Sequence, residues 1–452
     1  MTPSVPSIAT RGTPNGALLG ATVGFFVGFA AVALFGPTAL RFRDAMGLSP
    51  LALGFLVAIP ALSGSLLRIP FSAWVDTTGG RTPFLVLLVL SIAGMAGVWF
   101  IVATRYPDNL TPSLYPVLLL LGALCGCGIA TFSVGISQVS YWFPQERQGR
   151  ALAIYAGVGN LAPGAFSLVL PFALQRLGLA HAYLAWLVFL VAGTVAYAWL
   201  GRNALYFQLR QLGLSSADAQ AAARERGQEL FPAGTMMGTL RISAGAWQTW
   251  ALVTIYFTTF GGFVALTSWL PTYWMSAFAV GVIGAGLLTA LYSLLASGVR
   301  IVGGVLADSL YEGGQNTSIL ALLIMLAGAL LMASTAQFEL AIPGIVLLAL
   351  GMGICNAAVF KMVPKMVPQA VGGAAGWVGG IGAFGGFTIP PALAFAVRNL
   401  GPRGYSIGFV VFVALALLSL SMVWILKYAP RPEPLQKPLG ASAPSGGIRT
   451  PA

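Results

Sequence analysis

Twelve apolar runs follow one another along the chain, near residues 17-40, 51-74, 83-104, 115-137, 151-174, 183-201, 248-271, 280-303, 317-336, 340-360, 373-397 and 405-427. Each is about 20 residues long or a little more, the length at which a helix rising 1.5 Å per residue crosses roughly 30 Å of hydrocarbon. A bilayer offers no water to a bare backbone, so runs of this kind become helices, which satisfy their own hydrogen bonds. The fold class is therefore all-α integral membrane. Composition agrees: 58% of the 452 residues are hydrophobic and 8% are charged, against about 25% charged in a soluble domain. The longest polar interval, 202-247, holds "SSADAQAAARERGQEL" and reads as a charged, partly helical connector. The chain is thus expected to divide into an amino-terminal tail (1-16), a six-helix bundle (17-201), the connector (202-247), a second six-helix bundle (248-427) and a disordered tail rich in Pro, Gly and Ser (428-452).

Basic residues orient the bundles. With the amino terminus in the cytoplasm, fifteen Lys and Arg fall on that side and six fall outside, as the positive-inside bias requires. The two left over from the 23 are Arg68 and Arg300. The net charge of +12 is spread among loops rather than gathered on one face, which excludes a nucleic-acid surface and suits anionic lipid headgroups. The first apolar run is too long for a cleaved leader and reads as the first span. Cys125, Cys127 and Cys355 fall inside spans, and Cys125 and Cys127 point about 200° apart on a helix, so packing is their expected role. No metal-ligand cluster and no cofactor motif is present, and none is expected.

Arg68 lies in "SGSLLRIPFSAWVD" with Asp76 eight residues on, and Arg300 lies in "SGVRIVGGVLAD" with Asp308 at the same separation. Eight helical residues span about 12 Å, and Arg68 is roughly 25 Å from the start of its run, too deep for its head to reach water readily. All eleven acids fall in loops, tails or span ends, so no buried carboxylate is available to either arginine. An arginine at mid-membrane costs at least about 2.5 to 3.5 kcal/mol. Two of them without carboxylates imply a mobile anion, and the planar donor fork of guanidinium suits a small planar oxyanion.

A second device repeats between the halves. "AGVGNLAPG" in the fifth run and "GGIGAFGGF" in the eleventh place Gly157 over Gly380 and Gly159 over Gly382, and each follows a Pro-Gln pair, Pro144-Gln145 and Pro368-Gln369. Gly164, Gly385 and Gly386 extend the two clusters. Close packing explains most membrane glycines. A matched pair of clusters, each three spans beyond an arginine span, points instead to gating around a central site built from parallel repeats.

In these stretches the chain resembles the nitrate/nitrite porter family of the major facilitator superfamily, from Ala17 to Lys427. The resemblance implies a twelve-helix fold of two six-helix bundles, in which Arg68 and Arg300 clasp nitrate or nitrite. It further implies substrate-near roles for Asn160 in "AGVGN", Tyr256 in "TIYFTTFGGF", Phe132 in "GIATFSVGISQ" and Phe360 in "NAAVFKM". "DTTGGR" keeps Asp76 and Arg81 of the superfamily's gating loop. The matching "DSLYEGGQN" keeps the acid, Asp308, and the glycines of that motif but lacks the final arginine. These residues are expected to brace a cytoplasmic gate. Ala162-Pro163 departs from the family's fifth-helix signature and alters how that helix bends.

The expected function is transport of nitrate, nitrite or both across the inner (cytoplasmic) membrane by a functional monomer with both termini inside, in nitrate/nitrite exchange. Alternatives are nitrate/proton symport, a porter for another small anion, and an anion sensor that does not transport. An enzyme is disfavoured because His181 is the sole histidine, sits in an outer loop, and belongs to no nucleophile-base pair.

Overall fold

The computed structural model describes residues 10–232, 236–367 and 370–428. The Pro368-Gln369 pair, the first nine residues and the tail from 429 onward lie outside them. Among the described residues the structure is helical throughout, with no strand. Its membrane segments are α1 (Pro14–Met46), α2 (Pro50–Thr78), α3 (Arg81–Arg105), α4 (Pro112–Trp142), α5 and α6 (sharing Arg150–Leu200), α7 (Trp247–Phe278), α8 (Val282–Ser309), α9 (Gly313–Ser334), α10 (Phe338–Met366), α11 (Val371–Ile407) and α12 (Val410–Tyr428). α5 and α6 part at Gly178, whose φ of 75° and ψ of 176° interrupt the helix; a residue with a Cβ rarely takes such a φ. α1 begins with Pro14 behind a Thr13 cap, and α2 with Pro50 behind a Ser49 cap, each hydroxyl accepting an N–H of the first turn, which is the favoured way to open a helix.

α1 is longer than its apolar run predicts. It continues past residue 40 to Met46, so Arg41 and Arg43 sit on a helix rather than in a loop. Arg43 pairs there with Asp44 at 2.8 Å. The extension leaves the apolar run and stays helical until Gly47 turns it at φ 63°.

Regular helix gives way at several points within the spans. α1 carries 3₁₀ turns at Ala30–Ala33 and Gly36–Thr38, α4 at Cys127–Ala130 and α11 at Gly382–Phe384, while α7 carries a π-turn at Phe257–Gly261. α2 and α8 are both interrupted one residue before their arginine, at Leu67 and Val299, with nearly the same backbone angles. Irregular backbone at membrane depth is tolerated where protein or a cavity can take up the freed groups, and here it surrounds the arginines.

At the end of the molecule away from the connector, helices of the two halves seal against each other. A Cβ at Gly36 of α1 would stand 2.5 Å from the Ser268 carbonyl of α7, one at Gly54 of α2 2.5 Å from Ala394 of α11, and one at Gly286 of α8 2.5 Å from Pro171 of α5. On the connector side the halves diverge around a cavity of about 430 Å³. The connector forms helices Leu205–Gln211, Ser216–Glu225 and Met236–Gly245. Its start is fixed to the first half through Asn203, which accepts the Arg81 N–H and donates to the Thr78 carbonyl. The helix Met236–Gly245 lies on α11, where Trp377 donates to the Leu240 carbonyl at 3.0 Å.

Candidate functional site

The break at Leu67 sets Arg68 at the head of a new helical segment with its side chain 1% exposed. Its Nε donates to the Gly64 carbonyl and its Nη1 to the Gly379 carbonyl of α11, each at 3.0 Å, while Nη2 is buried with no protein partner. The sequence inventory excluded carboxylates as partners, and neither Arg68 nor Arg300 is within ion-pair distance of one among the described residues. Backbone carbonyls, one of them from the other half, hold Arg68 instead. Reading side-chain charges alone could not find such a partner.

Arg300 heads the matching segment of α8 and lines the cavity. The two guanidinium groups share one aromatic ring: the Arg68 Cζ is 5.2 Å and the Arg300 Cζ 5.7 Å from the centre of Phe260, within the range of cation–π attraction. Phe132 takes a further face of Arg68, at 4.9 Å. Tyr256 stacks on Phe260, with centres 4.8 Å apart and planes 6° apart, and its buried hydroxyl is close enough to feel both guanidinium charges. Phe360 meets Tyr256 edge-on at 5.0 Å. Arg68, Arg300, Phe132, Tyr256 and Phe360 therefore converge.

Phe260 is the member the sequence reading missed. Its signal was available: it stands one turn beyond Tyr256, and the i, i+4 pair Tyr256 and Phe260 of α7 matches Phe25 and Phe29 of α1 at a constant offset of 231. The ring of Phe29 stacks on that of Phe260, with planes 13° apart.

Asn160 ends a helical segment of α5 beside the cavity. Its Nδ2 donates to the Ala156 carbonyl at 2.7 Å, its Oδ1 is buried without a partner, and its own carbonyl accepts the Ser297 hydroxyl of α8 at 3.0 Å. The amide is thus held by its own helix, and its backbone is tied to the opposite half.

The glycines separate into groups. A Cβ at Gly159 would run into the Phe25 ring and one at Gly382 would lie 2.8 Å from Tyr256, so this repeated pair performs the same task in each half, letting the fifth and eleventh helices approach an aromatic of the first and seventh. Gly164 against Leu294, Gly380 against Ile69 and Gly386 against Ala61 bring the halves together, Gly386 also packs on Val264 within its own half, and Gly385 packs on the Phe257 carbonyl. Gly157 has open space around it, so close approach does not explain it.

Asp76, Arg81 and Asp308 lie away from the arginines, at the connector end. Asp76 accepts the Tyr141 hydroxyl at 2.6 Å, Arg81 donates to the Ala198 carbonyl at 2.8 Å, and Asp308 pairs with Lys361. Each contact stays within its own half. The cavity between the halves is lined by Ser72, Phe132, Ser133, Ser137, Arg300, Asn356, Phe360 and Gly379 among others, with no Asp, Glu, His or Lys among the described residues. Such a lining attracts an anion and offers it neutral donors.

Comparison with known proteins follows the same lines. The model of the Major Facilitator Superfamily matches residues 21–341. A probable nitrate/nitrite antiporter, NarK1 of Thermus thermophilus, is 31% identical over 89% of each chain. The nitrite extrusion protein of Bacillus subtilis is 28% identical over 82% of this chain and 84% of its own, and a probable nitrate transporter, NarT of Staphylococcus epidermidis, is 25% identical over 88% and 94%. Among solved structures, a D-xylose-proton symporter superimposes with a TM-score of 0.69 at 14% identity, covering 92% of this chain and 98% of that one; this likeness concerns the fold alone. With the helical fold, the superfamily match and a relative at this identity over nearly the full length in agreement, the chain is a multi-pass membrane protein that belongs to the nitrate/nitrite porter family of the major facilitator superfamily.

Proposed function

We propose that this protein carries nitrate, nitrite or both across the cytoplasmic membrane, with its termini inside, by rocking residues 17-201 against 248-427 around the arginine pair. The single observation that carries the reading is that Arg68 and Arg300 face one aromatic ring, Arg300 lining the cavity, with no carboxylate within ion-pair distance among the described residues and one Arg68 amino group left without a partner. The relatives' names point to the same substrates. Arg68, Arg300, Asn160 and Tyr256 would contact the anion, and Phe132, Phe260 and Phe360 would wall it. The glycine contacts would let the halves slide, and Asp76, Arg81 and Asp308 would stiffen each half at its cytoplasmic end. The cavity opens on the connector side, so this is the inward-facing stage of the cycle.

Exchange is the mode these features support. With the cytoplasm negative, import of one monovalent anion is opposed by roughly 2.3 kcal/mol per 100 mV, so net uptake needs a counter-anion or protons. No carboxylate, histidine or lysine lines the cavity to carry a proton. The empty site also resists reorientation, because its two arginines repel and Arg68 is bonded across to Gly379. The test is counterflow in liposomes: internal nitrite should stimulate uptake of labelled nitrate. If internal nitrite has no effect and an inward proton gradient alone drives accumulation, symport replaces exchange. If purified protein moves neither anion under any gradient, the transport reading fails.

A further inference from the structure

One turn before Phe360 on α10, Asn356 lines the cavity beside Arg300. Four residues place the two side chains on one helix face, and Phe360 is the ring that meets Tyr256. Asn356 is 1% exposed, and its Oδ1 is buried with no hydrogen-bond partner. The contrast with Asn160 is informative, because the Asn160 amide is anchored to the Ala156 carbonyl whereas among the described residues no side-chain or main-chain partner anchors that of Asn356. Buried polar groups without partners are rare and ask for an explanation. An apolar residue of the same shape would fill this position at lower cost, so packing does not account for an amide here.

The rest of the site supplies the reason. Arg68 has one amino group to give, since Nε and Nη1 are engaged, and Arg300 presents a fork. A bidentate fork takes two oxygens of a planar oxyanion. Nitrate has a third oxygen and nitrite does not. The Asn356 carboxamide can turn about its last torsion to present either end without changing shape, and its N–H₂ group is a neutral donor that does not titrate.

We propose that Asn356 is a substrate-contacting residue that donates to an oxygen of the bound anion and favours nitrate over nitrite, because nitrate offers it a third oxygen and nitrite does not. The inference rests on the anion-carrier reading above. It extends that reading to the selection between the two ions, with α10 contributing a polar contact as well as an aromatic wall.

The experiment measures equilibrium binding of nitrate and of nitrite, separately, to purified wild type, Asn356→Ala and Asn356→Leu, with elution profile and thermal midpoint recorded for each. Asn356→Leu keeps the branched outline and guards against a cavity effect. A hydrogen bond to a charged partner corresponds to about tenfold or more in affinity. Both variants should therefore lose about tenfold or more for nitrate and distinctly less for nitrite. Asn356→Asp adds a readout that packing does not move: nitrate affinity should become pH-dependent, falling as the introduced carboxyl ionises. Folded Ala and Leu variants with wild-type nitrate affinity overturn the contact. Equal losses for both anions overturn the discrimination. If both neutral variants fail to fold, the Asp series decides, and an affinity flat with pH overturns the proposal. Failure of wild type to bind either anion is a separate result that removes the carrier reading itself.

Discussion

At the scale of single residues, the arginine pair was legible because a charge inside an apolar run stands out along one dimension, and because the chain repeats it with its acid eight residues on. Its partners were not legible, since they are the main-chain carbonyls of Gly64 and Gly379 and no side-chain inventory contains carbonyls. Phe260 was hidden differently: one phenylalanine among 27 carries no mark until the fold sets it between two cations. Arg68→Lys and Arg300→Lys keep the charge and lose the fork, so each should bind nitrate at least about tenfold more weakly if bonds worth about 1.5 kcal/mol or more are lost. Labelled-nitrate uptake by expressed, folded variants checks this, and normal uptake by either would remove that arginine from the site. Asn160→Ala should weaken binding by about 1 to 3 kcal/mol if the amide contacts the anion directly; an unchanged dissociation constant would leave Asn160 a helix-packing residue. Phe260→Leu keeps an apolar filling and removes the π face from two guanidinium groups, each contact worth about 0.5 to 2 kcal/mol. A loss of nitrate affinity without loss of thermal stability is expected, and the reverse pattern would make the ring a packing element alone.

At the scale of elements, the twelve helices were readable from the apolar runs, whereas the irregular turns within them were not. A 3₁₀ or π turn is a small change in hydrogen-bond partner that apolar residues accommodate without any marked composition, and Phe257–Gly261 and Cys127–Ala130 look like ordinary span interior. The glycine signatures were visible as a repeat, but their separate tasks depend on what stands opposite. Gly157 faces open space and Gly159 faces the Phe25 ring, although the two are neighbours in one motif. Gly157→Ala should therefore transport like wild type, while Gly159→Ala should be impaired through displacement of α1. Parallel uptake assays with matched expression decide the point. Equal impairment of both would mean that Gly157 acts by letting its helix bend.

At the scale of the whole molecule, the polar connector stands out in the sequence, but the direction of opening could not be read there. It depends on which contacts between the halves are closed, and those lie between residues hundreds of positions apart, such as Gly54 with Ala394. The structure closes the end away from the connector and opens the other. Cysteines introduced at Ser72 or Ser137, which line the cavity, should react with a membrane-impermeant thiol reagent applied from the cytoplasmic side of inverted vesicles. A cysteine at Ser268, buried in the opposite seal, should be protected in the same preparation. Equal labelling of both would mean that the seal at Ser268 is not closed to the cytoplasmic side, against the arrangement of the structure.

The bond from Arg68 to Gly379 bears on how such a protein can be tuned by mutation. The Gly379 oxygen occupies one of the Arg68 donors, so, if Arg68 binds the anion as proposed, it would act as a resident competitor for the site. Being main chain, it is present whatever residue occupies position 379, and no single substitution can delete it. Inherited change can alter only its distance and angle, through the small residues that set how closely α11 approaches α2, Gly380 against Ile69 foremost. On the proposed function, affinity would therefore be open to adjustment from positions that never touch the cargo, with the arginine itself unchanged.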